Sequence, residues 1–290
     1  MQRSNYYSLQ QHFNICFQRT YNMKILVIGA GAIGGEIIKE CERLEPVERC
    51  YVLDRHPQKA KKLYGNLNKV VVIKESDEPF ANVDLVVEAA SQEAVIEYAP
   101  QALKIGADLM IMSIGALVDE KLRNEIFTLA EEKSAKVYLP SGAVCGIDGV
   151  TSAAVTDIEE ITLETRKPPA ALKDSEYVRS NEIDLESLEE ETVLYHGSAA
   201  EAVKKFPKNV NVAATLSLSG IGFERTKVKI ICDPSATSNS HKIKLKGSAG
   251  ELVCSSYNAP SPDNPGTSYL AALSAISSVR RICGNIWIGF

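Results

Sequence analysis

Lys24-Ile25-Leu26-Val27-Ile28-Gly29-Ala30-Gly31-Ala32-Ile33-Gly34-Gly35 sets the reading of the first half of this chain. Four apolar residues, three of them β-branched, predict a buried strand, and Glu36-Ile37-Ile38-Lys39-Glu40 behind the glycines has helical spacing. Gly29 permits the tight turn, Gly31 lets backbone approach a pyrophosphate, and Gly34 lets the helix pack on the strand. The helix N-terminus then turns free N–H groups and positive dipole toward the phosphates. Ala30, Ala32 and Ile33 complete the same candidate cofactor-binding turn. Further on, the strand Cys50-Tyr51-Val52-Leu53 ends in Asp54, where a carboxylate accepts hydrogen bonds from an adenosine ribose. Arg55 directly behind it can approach a 2′-phosphate, so the pair fits NAD and does not exclude NADP. A glycine turn alone is a weak signal. With strand, helix and acid in order it outweighs a mere turn in an unrelated α/β domain.

Bulk properties narrow the classes. The 290 residues, 45% hydrophobic and 24% charged, have ordinary globular composition and room for two domains. A net charge of -5 offers no basic face for nucleic acid, and Lys59, Lys61 and Lys62 read as a solvated helix face. Cysteines at 16, 41, 50, 145, 232, 254 and 283 show no C-x-x-C spacing. They predict reduced thiols in a cytoplasm and no bound metal. No apolar run approaches the roughly 18 residues of a membrane span. Residues 1–22 lack an apolar core and a small-residue cleavage site, so they read as a disordered arm or a translation-start choice, with Met23 the natural start.

From Met23 to Pro140 strands and helices alternate. After the turn Arg55-His56-Pro57 come a lysine-rich helix to Tyr64, a strand Lys69 to Ile73, and a buried strand from Val83 that ends in Glu88, Ala90 and Ser91. A helix Gln92 to Ala102 leads to the strand Asp108 to Met112, which runs into Ser113-Ile114-Gly115-Ala116. The helix Glu120 to Ser134 precedes a last strand, Lys136 to Pro140. This is the pattern of a Rossmann-type, doubly wound parallel sheet. Ligands sit at the carboxyl ends of such strands, which makes Ala90, Ser91, Ser113 and Gly115 cofactor candidates.

At Ser141-Gly142-Ala143-Val144-Cys145-Gly146-Ile147-Asp148-Gly149 the rhythm breaks, as expected of backbone near a nicotinamide and of a crossing into a second domain. Glu160 to Arg166, Val228 to Cys232 and His241 to Lys246 alternate with period two. They predict a second α/β domain with a mostly antiparallel sheet. Lys173 to Glu191 is polar and reads as a surface excursion. Helices near Ala199 to Phe206 and Val210 to Ser219 would cover the sheet, and the helix Thr267 to Ile282 would return to the first domain. The expected division is a dinucleotide-binding domain over 23–140 and a substrate, catalytic and dimerisation domain over 141–262.

Four blocks of the second half, taken together, resemble one family. They are Thr165-Arg166-Lys167-Pro168-Pro169, Phe206-Pro207-Lys208-Asn209-Val210-Asn211-Val212-Ala213-Ala214-Thr215, Asp233-Pro234 with Asn239-Ser240-His241, and Asn264-Pro265-Gly266-Thr267-Ser268. In this order, behind a dinucleotide fingerprint, they are similar to the archaeal and bacterial L-aspartate dehydrogenases, from Met23 nearly to the C-terminus. The resemblance implies NAD(P)-dependent oxidation of L-aspartate to iminoaspartate, then oxaloacetate and ammonia, and the reverse reductive amination. It further implies a place in NAD biosynthesis and a homodimer. It makes His241 the catalytic residue and sets Ala143 and Asn211 against the nicotinamide cofactor. Two positions depart from the family: Cys145 stands where a small glycine-like residue is usual, and Gly266 where lysine is frequent.

Oxidising an amine requires a hydride acceptor held against Cα and a base that works near neutral pH, which suits histidine. By residue pattern alone a histidine at a strand start, as His241 is after Ser235 to Ser240, is more often structural; the resemblance reverses that order. His12, His56 and His196 read as surface or turn residues. Asn211 has an amide able both to donate and to accept, and Ala143 can act only through its backbone. Arg166, Lys167 and hydroxyls near Ser268 are the candidates for the substrate carboxylates, with bidentate geometry favouring Arg166. Two rivals stay open: a dehydrogenase of another amino acid or a semialdehyde, and a dinucleotide-binding redox sensor without turnover.

Overall fold

The structure is a computed structural model that describes residues 22–77, 80–173, 175–206, 211–262 and 264–289. The expected N-terminal arm through residue 21, with His12 and Cys16, lies outside the described residues. So do Pro207 to Val210 of the second family block.

Strand β1 (Met23–Ile28) lies near the middle of the first sheet because beyond Lys24 it carries no polar side chain. Ile25, Leu26 and Val27 are all completely buried, as a strand covered on both faces requires. It is followed by α1 (Ala32–Arg43), β2 (Val47–Leu53), α2 (Pro57–Tyr64), β3 (Val70–Ile73) and β4 (Leu85–Glu88). Then come α3 (Gln92–Lys104), β5 (Asp108–Ile111), α4 (Glu120–Lys133) and β6 (Val137–Tyr138). All the strands are parallel, in the order β3-β2-β1-β4-β5-β6. The order reverses between β1 and β4, and the crevice outside the carboxyl ends there is where such sheets take ligands. Local capping fixes the helix starts around it. Ser91 Oγ accepts from Ala94 N ahead of α3, and Asp119 Oδ1 accepts from Leu122 N at 2.9 Å ahead of α4.

The second sheet takes α5 (Ile147–Ala153), β7 (Ile158–Lys167), α6 (Glu176–Ser180), β8 (Thr192–Ser198), α7 (Ala199–Lys205), α8 (Asn211–Ser219), β9 (Lys227–Cys232), β10 (Ser240–Gly247) and β11 (Gly250–Tyr257). Its order is β11-β10-β7-β9-β8, antiparallel throughout except where β7 and β9 run parallel. The alternation seen in the sequence is real: Ile161, Leu163, Thr165 and Lys167 point to the buried face of β7, and His241, Ile243 and Leu245 to that of β10. A single hydrophobic cluster runs from Leu26, Val86 and Leu109 under the first sheet, through Ile114 and Leu117, to Ala213, Leu216, Val228 and Ile243 under the second. The two sheets therefore share a core. Each fully buried aliphatic side chain in it contributes about 1.5–3 kcal/mol.

After a short ribbon of β12 (Pro260–Ser261) and β13 (Asn264–Ser268), helix α9 (Tyr269–Cys283) comes back to the first sheet. Ala275, Val279 and Ile282 pack with Ile37 and Ile38 of α1, and Arg280 Nε donates to the buried Glu40 at 2.6 Å. One expectation needs correction. Lys173 to Glu191 is not simply a surface excursion, because α6 forms there, Val178 and Leu185 join the core, and Tyr177 stacks on Phe206 with ring centroids 4.7 Å apart. Its few apolar residues lack any regular spacing, so the acidic composition masked them. Among the described residues no helix is long and apolar enough to cross a membrane.

Candidate active site

The glycine turn behaves as its chemistry demands at two positions. Gly29 has φ +94°, and a Cβ there would lie 2.8 Å from Ala89 O; a Cβ on Gly34 would lie 1.9 Å from Gly29 O. At Gly31 a Cβ would meet nothing within 4 Å, so the tightness of the turn ends where a pyrophosphate would enter. Gly31 also caps α1 with no side-chain bond, which leaves the first N–H groups of the helix to a ligand. Ala30, Ala32 and Ile33 line this turn. Beside it, Asp54 Oδ2 accepts from Ala30 N and Oδ1 from His56 N, both at 2.7 Å. Asp54 is thereby fixed against the glycine turn, while Arg55 stays exposed, its charge felt by Glu93. An open cradle, an uncapped helix start and an anchored acid together fit a nicotinamide dinucleotide.

Sequence reasoning noticed Glu88 but gave it no role. Oε1 accepts from Ala90 N (2.7 Å), Ser91 N (2.9 Å) and Ser113 Oγ (2.9 Å), and Oε2 from Ser113 N (2.9 Å) and Met112 N (3.3 Å). One buried carboxylate thus joins the loop after β4 to the loop after β5. Burial pushes its pKa up and the hydrogen bonds from Ser113, Ala90 and Ser91 oppose that shift. Three of the expected cofactor residues, Ala90, Ser91 and Ser113, converge on this one group. The signal available was an acidic residue inside an otherwise apolar strand end, a placement that needs partners.

Gly115 joins the halves. Its N–H donates to Asn211 Oδ1 at 3.1 Å, and a Cβ on it would strike Gln92 Nε2 at 2.6 Å. Asn211 opens α8, so the second half of the chain reaches directly over the β5 loop. Ala143 is buried, and its carbonyl accepts from Ser256 Oγ (2.9 Å) and Asn258 Nδ2 (3.0 Å). The inter-sheet loop is thereby strapped onto the end of β11.

The same ladder carries His241. In register it faces Thr165 of β7 on one side and Ser256 of β11 on the other. Only 5% of its surface is exposed, and its Nδ1 lies 3.0 Å from Thr165 Oγ1. With Nδ1–H donating to the threonine, Nε2 keeps its lone pair. Burial, and then the charge of Lys167, depress the imidazole pKa to about 3, so the ring is neutral across the physiological range. Lys167 follows Thr165 by two positions on the same buried face, and burial lowers its pKa to about 8.

The preference for Arg166 is overturned. Strand alternation turns it to the opposite face, where it pairs with Glu191, with Asp233 at 3.3 Å and with Glu164 at 3.5 Å. Lys167 is the cation on the histidine side. Ser268 is buried where β13 meets α9, His196 is exposed on β8, and His56 N-caps α2. A cavity of about 520 Å³ between α4, α7 and α8, lined by Arg123, Lys204 and Phe223, shares none of the expected site residues.

A doubly wound dinucleotide sheet whose crevice is bridged to a mixed sheet bearing a neutral histidine defines a nicotinamide-dependent oxidoreductase. Residues 148–282 match the family model for the aspartate dehydrogenase C-terminal region, and 29–140 that for the homoserine dehydrogenase NAD-binding domain. The chain is 50% identical to an L-aspartate dehydrogenase of Methanosarcina acetivorans over 92% of its own length and 99% of that protein. It is 37% identical to one of Nitrosopumilus maritimus, over 90% and 97% respectively. The crystal structure of aspartate dehydrogenase from Thermotoga maritima superposes with a TM-score of 0.73 at 32% identity, covering 93% of this chain and all of that one. The chain belongs to the aspartate dehydrogenase family.

Proposed function

We propose that this chain oxidises L-aspartate with NAD or NADP to iminoaspartate, which hydrolyses to oxaloacetate and ammonia, and that it runs the reverse reductive amination. The observation that carries the reading is the neutral, buried His241 beside Lys167, tied through Ser256 to the Ala143 loop. When bound, the nicotinamide supplies the hydride acceptor. The chain supplies everything else. The α1 N-terminus takes the pyrophosphate, Asp54 the adenosine ribose, and the loops pinned by Glu88 the nicotinamide end, with Ala143 and Asn211 closing over it.

Lys167 binds a substrate carboxylate through its ammonium, which suits a substrate with two carboxylates and explains why a cation is kept in a buried place. With a substrate carboxylate paired to Lys167, the positive charge that helps depress His241 is offset and its basicity rises. Its Nε2 then takes a proton from the substrate ammonium, so the nitrogen lone pair can form the C=N bond as hydride leaves Cα. The proton held on His241 is then available when water adds to the imine. Shielding by the core around β7 and β10 keeps bulk water from competing for that proton.

The same reading assigns 23–140, with the returning α9, to cofactor binding and 141–262 to catalysis and dimerisation. It includes a homodimer in the cytoplasm, with the product passed to pyridine nucleotide synthesis. Exposed Val253 and Tyr257 on one face of β11 give a second copy apolar surface to cover. The deciding experiment is a steady-state assay of the purified chain with L-aspartate, other amino acids and aspartate semialdehyde, against NAD and NADP. Aspartate-dependent reduction at least tenfold faster than with any other substrate is expected. Preference for another substrate, or no turnover, overturns the reading.

A further inference from the structure

We propose that Cys145 and Cys254 form a reversible disulfide that locks the loop carrying Ala143 onto β11 and so switches the enzyme off. The consequence for turnover rests on the proposed contact between that loop and the cofactor; the bond itself does not. Among the described residues Cys145 is the exposed thiol, while Cys41, Cys50, Cys232 and Cys283 are buried. Its Sγ lies 3.5 Å from Ser255 O, the carbonyl next to Cys254. On the other side, a Cβ on Gly146 would fall 2.4 Å from Cys254 Sγ and 3.1 Å from its Cβ. The two backbones therefore run close on both flanks of the pair, as a disulfide with Cα atoms about 4.4–6.8 Å apart requires. The thiols already sense one another: Cys254 is held above its usual pKa by burial and by Cys145.

The pair sits at a sensitive point. Cys145 follows Ala143 by two residues, and Cys254 precedes Ser256 by two on the same strand face; Ser256 holds the Ala143 carbonyl and faces His241. Gly142 and Gly146, both at positive φ, flank the loop and give it the freedom that a covalent tie would remove. Hydrogen peroxide is the oxidant. The exposed Cys145 thiolate attacks its O–O bond, giving a sulfenic acid and water, and the Cys254 thiol then attacks the Cys145 sulfur and expels a second water. Two thiols and one peroxide thus become one disulfide and two waters. A dithiol reductant reverses the bond.

The test treats the full chain with peroxide, with and without later dithiothreitol. The expected results are a loss of 2 Da, a 145–254 cross-linked peptide, slower hydrogen exchange at residues 142–146, and at least a fivefold fall in kcat that dithiothreitol restores. Cys145→Ser and Cys254→Ser should keep their untreated rate and resist the oxidant; should the second fail to fold, Cys145→Ser decides. No 145–254 peptide, or a cross-link between other cysteines, overturns the proposal, as does a cross-linked enzyme with unchanged exchange and rate. If the reduced chain never turns over aspartate, the functional reading fails, while the peptide and exchange data still decide the thiol pair.

Discussion

The two sides of the cleft are built in opposite ways. On the side of the first sheet each candidate group sits at the end of a strand, and the strand, the turn and the next helix are contiguous in sequence. On the side of the second sheet nothing is contiguous: His241 meets its partner Thr165 across 76 positions, and the loop at Ala143 is held by Ser256 and Asn258 more than 110 positions away. The first side is a property of local backbone geometry. The second is a property of register, because a slip of one residue in β10 would turn His241 to the outer face. Function on the two sides should therefore fail in different ways.

The largest expected effect lies on the register side. His241→Ala should lower kcat by about 10³-fold, within the range for loss of a positioned acid–base, and leave cofactor affinity within about twofold. Stopped-flow turnover and fluorescence titration of the cofactor check it; a cofactor affinity that collapses with the rate would mean that the two sides are not separable. In the free enzyme the imidazole pKa near 3 should leave kcat/KM for aspartate with no acid limb from His241 between pH 4 and 8.

Lys167→Met tests whether that buried cation is kept for function. KM for aspartate should rise about 100-fold, as loss of a buried charge-assisted pair implies. The variant should nonetheless be more stable. The ammonium's pKa falls from 10.5 to about 8 on burial, and at about 1.4 kcal/mol per unit its removal relieves about 3 kcal/mol. The sign follows from linkage: a depressed folded pKa means that the unfolded chain binds more protons between about 8 and 10.5. Wild-type stability therefore rises with pH over that window, and the variant's does not. In wild type kcat/KM for aspartate should fall above about pH 8 as the ammonium titrates. Denaturation at pH 7 and pH 10 and a pH–rate profile settle both halves of the expectation.

On the cofactor side Glu88→Gln should act on one ligand only. Its amide nitrogen would have to face the N–H groups of Met112 or Ser113, a donor against donors worth about 1–3 kcal/mol. The expected outcome is a rise of about tenfold in cofactor KM with aspartate KM and saturated kcat nearly unchanged. Burial raises the Glu88 pKa, so cofactor binding in wild type should weaken as pH falls toward it, and that limb should vanish in the variant. Equal changes in both KM values would make Glu88 merely structural.

The contrast also explains what could be seen in advance. The places of Lys24 to Gly35, Asp54 and the strand ends at Ala90, Ser91 and Ser113 around one crevice were readable, because in a parallel sheet each strand runs straight into its own turn and helix. Period two found β7, β9 and β10, yet not β8 or β11, whose inward positions include Cys254 and Ser256 and so lack an apolar rhythm. Period two was also enough to set Arg166 and Lys167 on opposite faces. Which face held the histidine needed the register of β10 on β7, and general chemistry wrongly preferred the arginine. The role of Glu88 depends on where two loops meet in space, which no single segment encodes.

The smallest expected effect concerns the far end of the cofactor. Both oxygens of Asp54 are committed to backbone N–H groups, so the carboxylate cannot swing away from a 2′-phosphate placed on the neighbouring ribose. Arg55 is the cation at hand to offset that repulsion, but it is exposed and shares its field with Glu93. An exposed pair of this kind contributes about 0.2–1 kcal/mol, so Arg55→Ala should cut kcat/KM with NADP by at most about fivefold. NAD, which presents only hydroxyls to Asp54, should change by less than twofold. Raising the salt concentration should erase the difference, since screening acts on exposed charges first. A loss equal for both cofactors would instead show that Arg55 supports the turn around Asp54. The cofactor side would then be less purely local than its sequence implies.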